Sequence, residues 1–270
     1  MWPTIIDGYL EYLQAAGVAP GTLRLRQHYL NHLAARFHDR DPRELALEDL
    51  CRFVGRPGWQ PESRKSARAA VRGLYGWAHK VGRVPADPSV FLPTVPVPAG
   101  KPRPAPDGVL ARALAAASTR DRRMVLLAAL GGLRRAEISR VHTDDILGEE
   151  LRVVGKGGRI RHVPLHPVVL GELAYVPAGW VFPGKISERG RDGGHLSADR
   201  VGHILADLLG PGWTAHTLRH RFASRAYAAE RDLRAVQELL GHAKPETTAR
   251  YTAVPDGALR AAVLAAGDAA

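Results

Sequence analysis

Six side chains in the C-terminal two thirds of the sequence have the types and the order that phosphoryl chemistry asks for. They fall in four boxes, GGLRRAEISRV (131 to 141), VVGKGGRIRHVPL (153 to 165), HTLRHRFASRAY (216 to 227) and LLGHAKPETTARYT (239 to 252). A phosphodiester attacked in line passes through a pentavalent state whose equatorial oxygens gain charge, and arginine forks bind such oxygens in pairs. Arg134 and Arg219 are the candidates for that role. A tyrosine hydroxyl titrates near ~10 when unperturbed, so Tyr251 needs a base or cationic surroundings before it attacks at neutral pH. His216 and His242, the latter nine residues before Tyr251, are of the right type. The leaving sugar oxygen needs a proton, which a lysine on a mobile loop can deliver. Lys156 sits in Gly155-Lys156-Gly157-Gly158 between two alternating segments, where a hairpin would hold it. Together these residues describe a phosphate trap with a nucleophile.

Taken singly, each has an ordinary structural reading. Arginines at helix starts are usually solvated, a histidine after Gly241 can finish a helix C-terminus, and a single tyrosine is more often a half-buried packing residue. The joint pattern reverses those odds. His216 and His220 also share the i, i+4 spacing of metal ligands, yet no glutamate follows the first histidine and no third ligand is evident, so no metal site is expected. His220 reads instead as a structural hydrogen-bonding residue. Glu137 follows Arg134 by three residues on one helix face, where it orients nearby donors or makes a surface pair.

The four boxes, in residue, order and spacing, make the chain resemble the tyrosine recombinases of the phage integrase and Xer type over nearly all of its length. By that resemblance Arg134 is the first-box arginine, Glu137 the acidic residue after it, and Lys156 the hairpin lysine. His216 and Arg219 are the second-box pair, His242 the following histidine and Tyr251 the nucleophile. The resemblance implies a 3′-phosphotyrosyl intermediate, a free 5′-hydroxyl and strand exchange through a Holliday junction, with no cofactor, metal or ATP. It also implies a homotetramer on double-stranded core-type sites and a cytoplasmic enzyme, nucleoid-associated or in the cytoplasm of a host cell. Whether a directionality factor takes part stays open. One departure stands out: Arg221 occupies a position where many relatives carry a small hydroxyl residue, and it is expected to add charge beside the site.

The composition agrees. The net charge of +11 attracts nucleic acid or an anionic surface, and no apolar run approaches transmembrane length, which makes DNA the better partner and no membrane association expected. Cys51 is the only cysteine, so no intrachain disulfide framework exists and a reducing compartment fits; a small buried helix residue is expected there.

To position the boxes, the sequence predicts a mainly α fold with a small antiparallel β-sheet in the second of two domains. Residues 1 to 92 read as a helical domain, 93 to 106 as a linker with six prolines, and 107 to 270 as the domain that carries the boxes. The resemblance implies that the first is a core-binding domain that closes with the second, catalytic domain as a clamp on DNA. In the first domain Thr4 is expected to cap a helix ending at Gly17; further helices open at Pro20 to Thr22, span Leu47 to Val54, and run from Pro61 to about Lys80. Ala67, Ala70, Val71, Leu74 and Ala78 should face inward on the last of these. Arg64, Lys65, Arg68 and Arg72 line another face as a DNA-binding stripe, with Lys101 and Arg103 of the linker and Arg24 and Arg26 as further phosphate contacts. In the second domain helices are expected over 107 to 117, 119 to 130, 197 to 209, 217 to 229 and 232 to 240. A hairpin is expected over 150 to 154 and 159 to 164, a strand over Trp180 to Phe182, and a glycine-rich loop over 184 to 195. A last apolar helix, Ala258 to Ala266, should dock on a neighbouring protomer or on its own domain, and the terminal Ala-Ala is a candidate proteolysis signal.

The chain starts its first core helix at once, so no arm-binding domain is expected and recognition should be confined to core-type sites. An integrase of a phage or mobile element is favoured, with Xer-type resolution of chromosome or plasmid dimers as the alternative. A catalytically silent DNA-binding protein and a type IB topoisomerase are the rival classes. If the excess charge serves DNA, duplex affinity measured across a salt titration should fall steeply and linearly on a log–log plot; a flat profile would contradict the reading.

Overall fold

Two runs of helix-forming sequence separated by the proline-rich stretch condense around two separate cores. The computed structural model describes residues 1–98, 100, 102–184 and 194–241, and for Lys156 the backbone alone. The chain divides into two compact units between Gly100 and Lys101.

In the first unit α1 (Trp2–Ala15), α2 (Pro20–Arg36), α3 (Leu47–Val54) and α4 (Pro61–Lys80) surround one core. α1 starts earlier than its expected cap. Pro3 fits the first turn, where its missing N–H would have no partner anyway, and the buried Trp2 belongs to the core, so Thr4 lies inside the helix and not at its cap. The Trp2 indole donates to the carbonyl oxygens of Phe37 and Arg40 at 2.9 and 3.1 Å, tying α1 to the end of α2. The inward face of α4, Ala67, Ala70, Val71, Leu74 and Ala78, is fully buried, and small residues at three of the five positions let α2 and α1 approach closely. Cys51 is only partly buried at the margin of this core.

The second unit is built on α6 (Thr119–Leu130). Met124 through Ala129 are all buried, so the C-terminal half of the helix is apolar all round and must be enclosed, while Arg120 to Arg123 keep its first turns polar. It is covered by α5 (Asp107–Ala116), α8 (Pro167–Leu173), α9 (Ala198–Leu209) and α10 (Ala215–Glu230). The short α7 (Arg135–Ile138) follows α6, and α11 (Leu233–Leu240) packs on α10 through Val236 and Leu240. α8 has no counterpart among the expected elements. Asp232 caps α11 with its carboxylate, and Gly241 ends it in the left-handed region at φ 61°.

An antiparallel meander, β1 (Ile146–Leu147), β2 (Glu150–Val154) and β3 (Ile160–Pro164), lies between α7 and α8 in the chain. Leu151, Val153 and Val163 point into the core, and Val153 pairs with Arg161, which puts the Arg161 side chain on that inner face. The turn between β2 and β3 holds Lys156, with Gly157 and Gly158 both at φ 76°. The expected strand over Trp180 to Phe182 does not form. Trp180 makes a single bridge with His142, Val181 donates to the Val141 carbonyl, and Pro183 then removes the next donor a ladder would need. Of the glycine-rich loop, 185 to 193 lies outside the described residues, as do Lys101, the expected helix 258 to 266 and the terminal Ala-Ala.

Gly132 makes the turn between α6 and α7. It takes φ +63°, and a Cβ there would come within 2.4 Å of the Phe222 ring on α10. Gly132→Ala therefore combines left-handed strain with overpacking, and chemical unfolding should show a loss of about 1–3 kcal/mol. Unchanged stability would mean that α10 is free to move away from this turn.

Candidate active site

Glu137 is buried, with only 5% of its surface exposed, and a buried carboxylate needs compensation from more than one side. It receives the backbone N–H of Arg134 at 2.9 Å and the Arg134 guanidinium at 2.8 Å. From β3, Arg161 grips both carboxylate oxygens, at 3.0 and 2.8 Å. From α10, Arg219 approaches to 3.8 Å. Burial by itself pushes this carboxyl up; the Arg161 fork, and then Arg134, overcome that and hold it down at about 2. Glu137 is thus buried among three arginines and does not make a surface pair.

The arginines are held from their far sides as well. Arg161 Nε donates to the Leu239 carbonyl at 2.9 Å, and Arg219 donates to the carbonyls of Leu240 and Gly132. Leu239 and Leu240 end α11, so two guanidinium groups satisfy carbonyls that the helix itself leaves open and sit at the negative end of its dipole. The Gly132 carbonyl belongs to the turn just before Arg134, and that is why this glycine's conformation bears on the site.

Arg134, His216 and Arg219 line one cavity of about 380 Å³, together with Arg135, Ala136 and Ala215. Their exposures differ: the Arg134 side chain is 37% exposed and that of Arg219 2%. His216 is exposed in the first turn of α10, which starts at Ala215, two residues before the expected start. His220, one turn on, meets His216 through the two Nε2 atoms at 2.9 Å and accepts the backbone N–H of Arg103 on Nδ1 at 2.9 Å. Among the described residues no three His, Cys, Asp or Glu side chains group as metal ligands do.

Arg221 does not add unbalanced charge. It is buried and donates to the Asp107 carboxylate, at 2.6 Å for its shortest bond, which also receives Arg225. The hydrogen bond from Arg221, then the charges of Arg221 and Arg225, hold the Asp107 carboxyl below its ordinary range despite some desolvation. The first residue of α5 is thus bound to α10.

Lys156 is placed in the β2–β3 turn by its backbone, and His242 and Tyr251 lie outside the described residues. The basic stripe on α4 divides. Lys65 and Arg72 are exposed, Arg68 is committed to the Leu92 carbonyl at 2.8 Å, and Arg64 has a buried Nε without a hydrogen-bond partner. Arg24 is exposed, and Arg26 donates to the Ser66 carbonyl at 3.4 Å. Arg103 is exposed, its guanidinium stacked over Trp213 at 4.4 Å from the ring centroid.

Arg161 is the residue the sequence reading missed. Its signal was present: in the alternation of 160 to 165 it shares a face with Val163 and Leu165, an arginine where an apolar residue belongs.

Residues 109–257 match the phage integrase family. Over 269 residues the chain is 30% identical to the tyrosine recombinase XerC of Neisseria meningitidis serogroup B, covering 92% of this chain and 89% of that protein. It is 35% identical over 213 residues to the tyrosine recombinase XerC of Rhodospirillum centenum, covering 71% of this chain and 62% of that relative's length. Among solved structures the fold is similar to a lambda integrase dimer bound to a COC′ core site, with a TM-score of 0.73 at 18% identity over 92% of this chain and 76% of that one.

Because the Glu137 carboxyl is held at about 2 against an ordinary 4.5, its ionisation stabilises the fold fully above the ordinary value, and that stabilisation is lost as the pH falls toward 2. The depression corresponds to roughly 3 kcal/mol. Acid unfolding of Glu137→Gln should lack the part of the wild-type pH dependence that lies between those two values. Parallel curves for the two proteins would show that folding leaves the Glu137 carboxyl at its ordinary value.

Proposed function

Because this chain belongs to the phage integrase family, we propose that it is a site-specific recombinase of the tyrosine class that cuts and rejoins duplex DNA at core-type sites. The observation that carries the chemistry is the cavity on which Arg134, His216 and Arg219 meet, above a carboxylate that fixes the arginines. Arg134, the more exposed of the two, binds the non-bridging oxygens of the scissile phosphate; Arg219 supplies positive charge from the floor. The Tyr251 hydroxyl passes its proton to His242 and attacks phosphorus, forming a 3′-phosphotyrosyl bond as the bond to the 5′ oxygen breaks. Lys156 delivers the proton that oxygen needs. A 5′-hydroxyl from a second duplex reverses the step, releases the tyrosine and makes a Holliday junction. Gly241, the residue before His242 in the sequence, ends α11, whose last carbonyls are held by Arg161 and Arg219.

In this reading residues 1 to 92 bind the core site and 107 to 270 perform the chemistry, joined through 93 to 106. Lys65, Arg72 and Arg103 are the phosphate contacts best supported by exposure, and Arg64, Arg68 and Lys101 remain part of the basic set. Four copies assemble on two sites in the cytoplasm. Integration and excision of a phage or mobile element is the role we propose. The names of the XerC relatives favour a second reading, resolution of chromosome or plasmid dimers.

Nicked duplexes from a pool of candidate core sites, incubated in EDTA, should yield a covalent protein–DNA adduct on denaturing gels. Tyr251→Phe should abolish the adduct and leave binding within about twofold, since one hydroxyl is lost and the phosphate contacts stay. An adduct that survives the substitution would overturn the assignment of the nucleophile. Recombinants and junctions from paired sites are expected; relaxed circles from any plasmid would indicate a topoisomerase instead.

A further inference from the structure

The proton on His216 is fixed by a chain of two hydrogen bonds that begins at the backbone of Arg103. Ala105 donates its N–H to the Thr217 carbonyl at 3.0 Å, and the Arg103 guanidinium stacks on Trp213, so the amide of Arg103 is held on both sides. That amide donates to Nδ1 of the buried His220 at 2.9 Å. A backbone N–H can only donate, so Nδ1 of His220 is bare and the neutral ring carries its proton on Nε2. The Nε2 atoms of His220 and His216 are 2.9 Å apart, and the proton between them therefore comes from His220. His216 accepts on Nε2, and a neutral imidazole that accepts there carries its proton on Nδ1. The reverse, His216 donating from Nε2, would make His220 an acceptor on both nitrogens, which a neutral imidazole cannot be.

The geometry points to His220 as a positioning residue that holds His216 in the Nδ1–H tautomer and occupies its Nε2. Resting on the recombinase reading above, the consequence is that His216 enters cleavage as a hydrogen-bond donor, not as the base that takes the Tyr251 proton. The segment around Arg103 thereby acts on the site through its backbone, whatever its side chain does with DNA.

The tautomer is read directly by long-range proton–nitrogen correlation spectra of the full chain labelled with ¹⁵N-histidine, recorded without DNA above the histidine titration range. His216 is assigned by its loss in His216→Asn. We expect Nδ1 of His216 protonated and Nε2 bare, with the opposite pattern for His220; a proton on Nε2 of His216 in the wild-type chain would overturn the proposal. In His220→Leu the His216 ring should be released to either tautomer, and adduct formation on nicked duplex should slow by roughly tenfold to a hundredfold, the scale on which loss of an orienting partner acts. His220→Gln, whose amide can still donate, should recover most of the rate. A rate unmoved by His220→Leu would also overturn it. A wild-type chain that forms no adduct would fail the recombinase reading instead, and the spectra would still decide the tautomer.

Discussion

The second unit depends on one buried carboxylate. Taking Glu137 out of water is unfavourable unless several donors surround it, and those donors arrive from separate parts of the chain: the backbone and side chain of Arg134 beside it, Arg161 from β3 and Arg219 from α10. Each of the two distant arginines also holds a carbonyl at the end of α11. Four elements are thus joined at one point by charge-assisted bonds, and none can move without leaving a buried charge short of a partner. Removing one member of such a cluster costs more than the bond removed, because the others stay behind uncompensated.

This arrangement suits phosphoryl transfer. Stabilising charge that develops in a transition state requires cations already fixed in place, so that no reorganisation accompanies the reaction. Arginines clustered with only solvent between them would repel and spread. Beneath Arg134 and Arg219 the carboxylate lowers that repulsion and sets their spacing, while the cavity above stays open. The enclosed α6, the left-handed Gly132 and the Phe222 ring against it bring α10 to the distance at which Arg219 reaches the Gly132 carbonyl.

Much of this was legible in the sequence because its signals are local. The inner face of α4 follows from the spacing of Ala67, Ala70, Val71, Leu74 and Ala78, α3 from the apolar run between Asp41-Pro42 and Gly55, and the hairpin from two alternating segments around Gly155 to Gly158. What escaped lies in contacts between residues far apart in sequence, which leave no periodic trace. Arg161 is 24 residues from Glu137, Arg103 is 117 from His220, and Asp107 is 114 from Arg221. The α4 stripe shows the same limit in reverse. Four basic residues on one face read alike, yet Arg68 spends its guanidinium on the Leu92 carbonyl while Lys65 and Arg72 stay exposed. Thr4 was misread as a cap because its type is right, when the burial of Trp2 decides where α1 begins.

The measurement that tests the central role of Glu137 most directly is a double-mutant cycle between Glu137→Gln and Arg161→Met, read as unfolding free energy at neutral pH. Each single substitution should cost about 3–5 kcal/mol, because it strands a buried charge, and the double should cost little more than either alone. Losses that simply add would contradict the account, since they would show that the carboxylate and the arginine stabilise the unit independently.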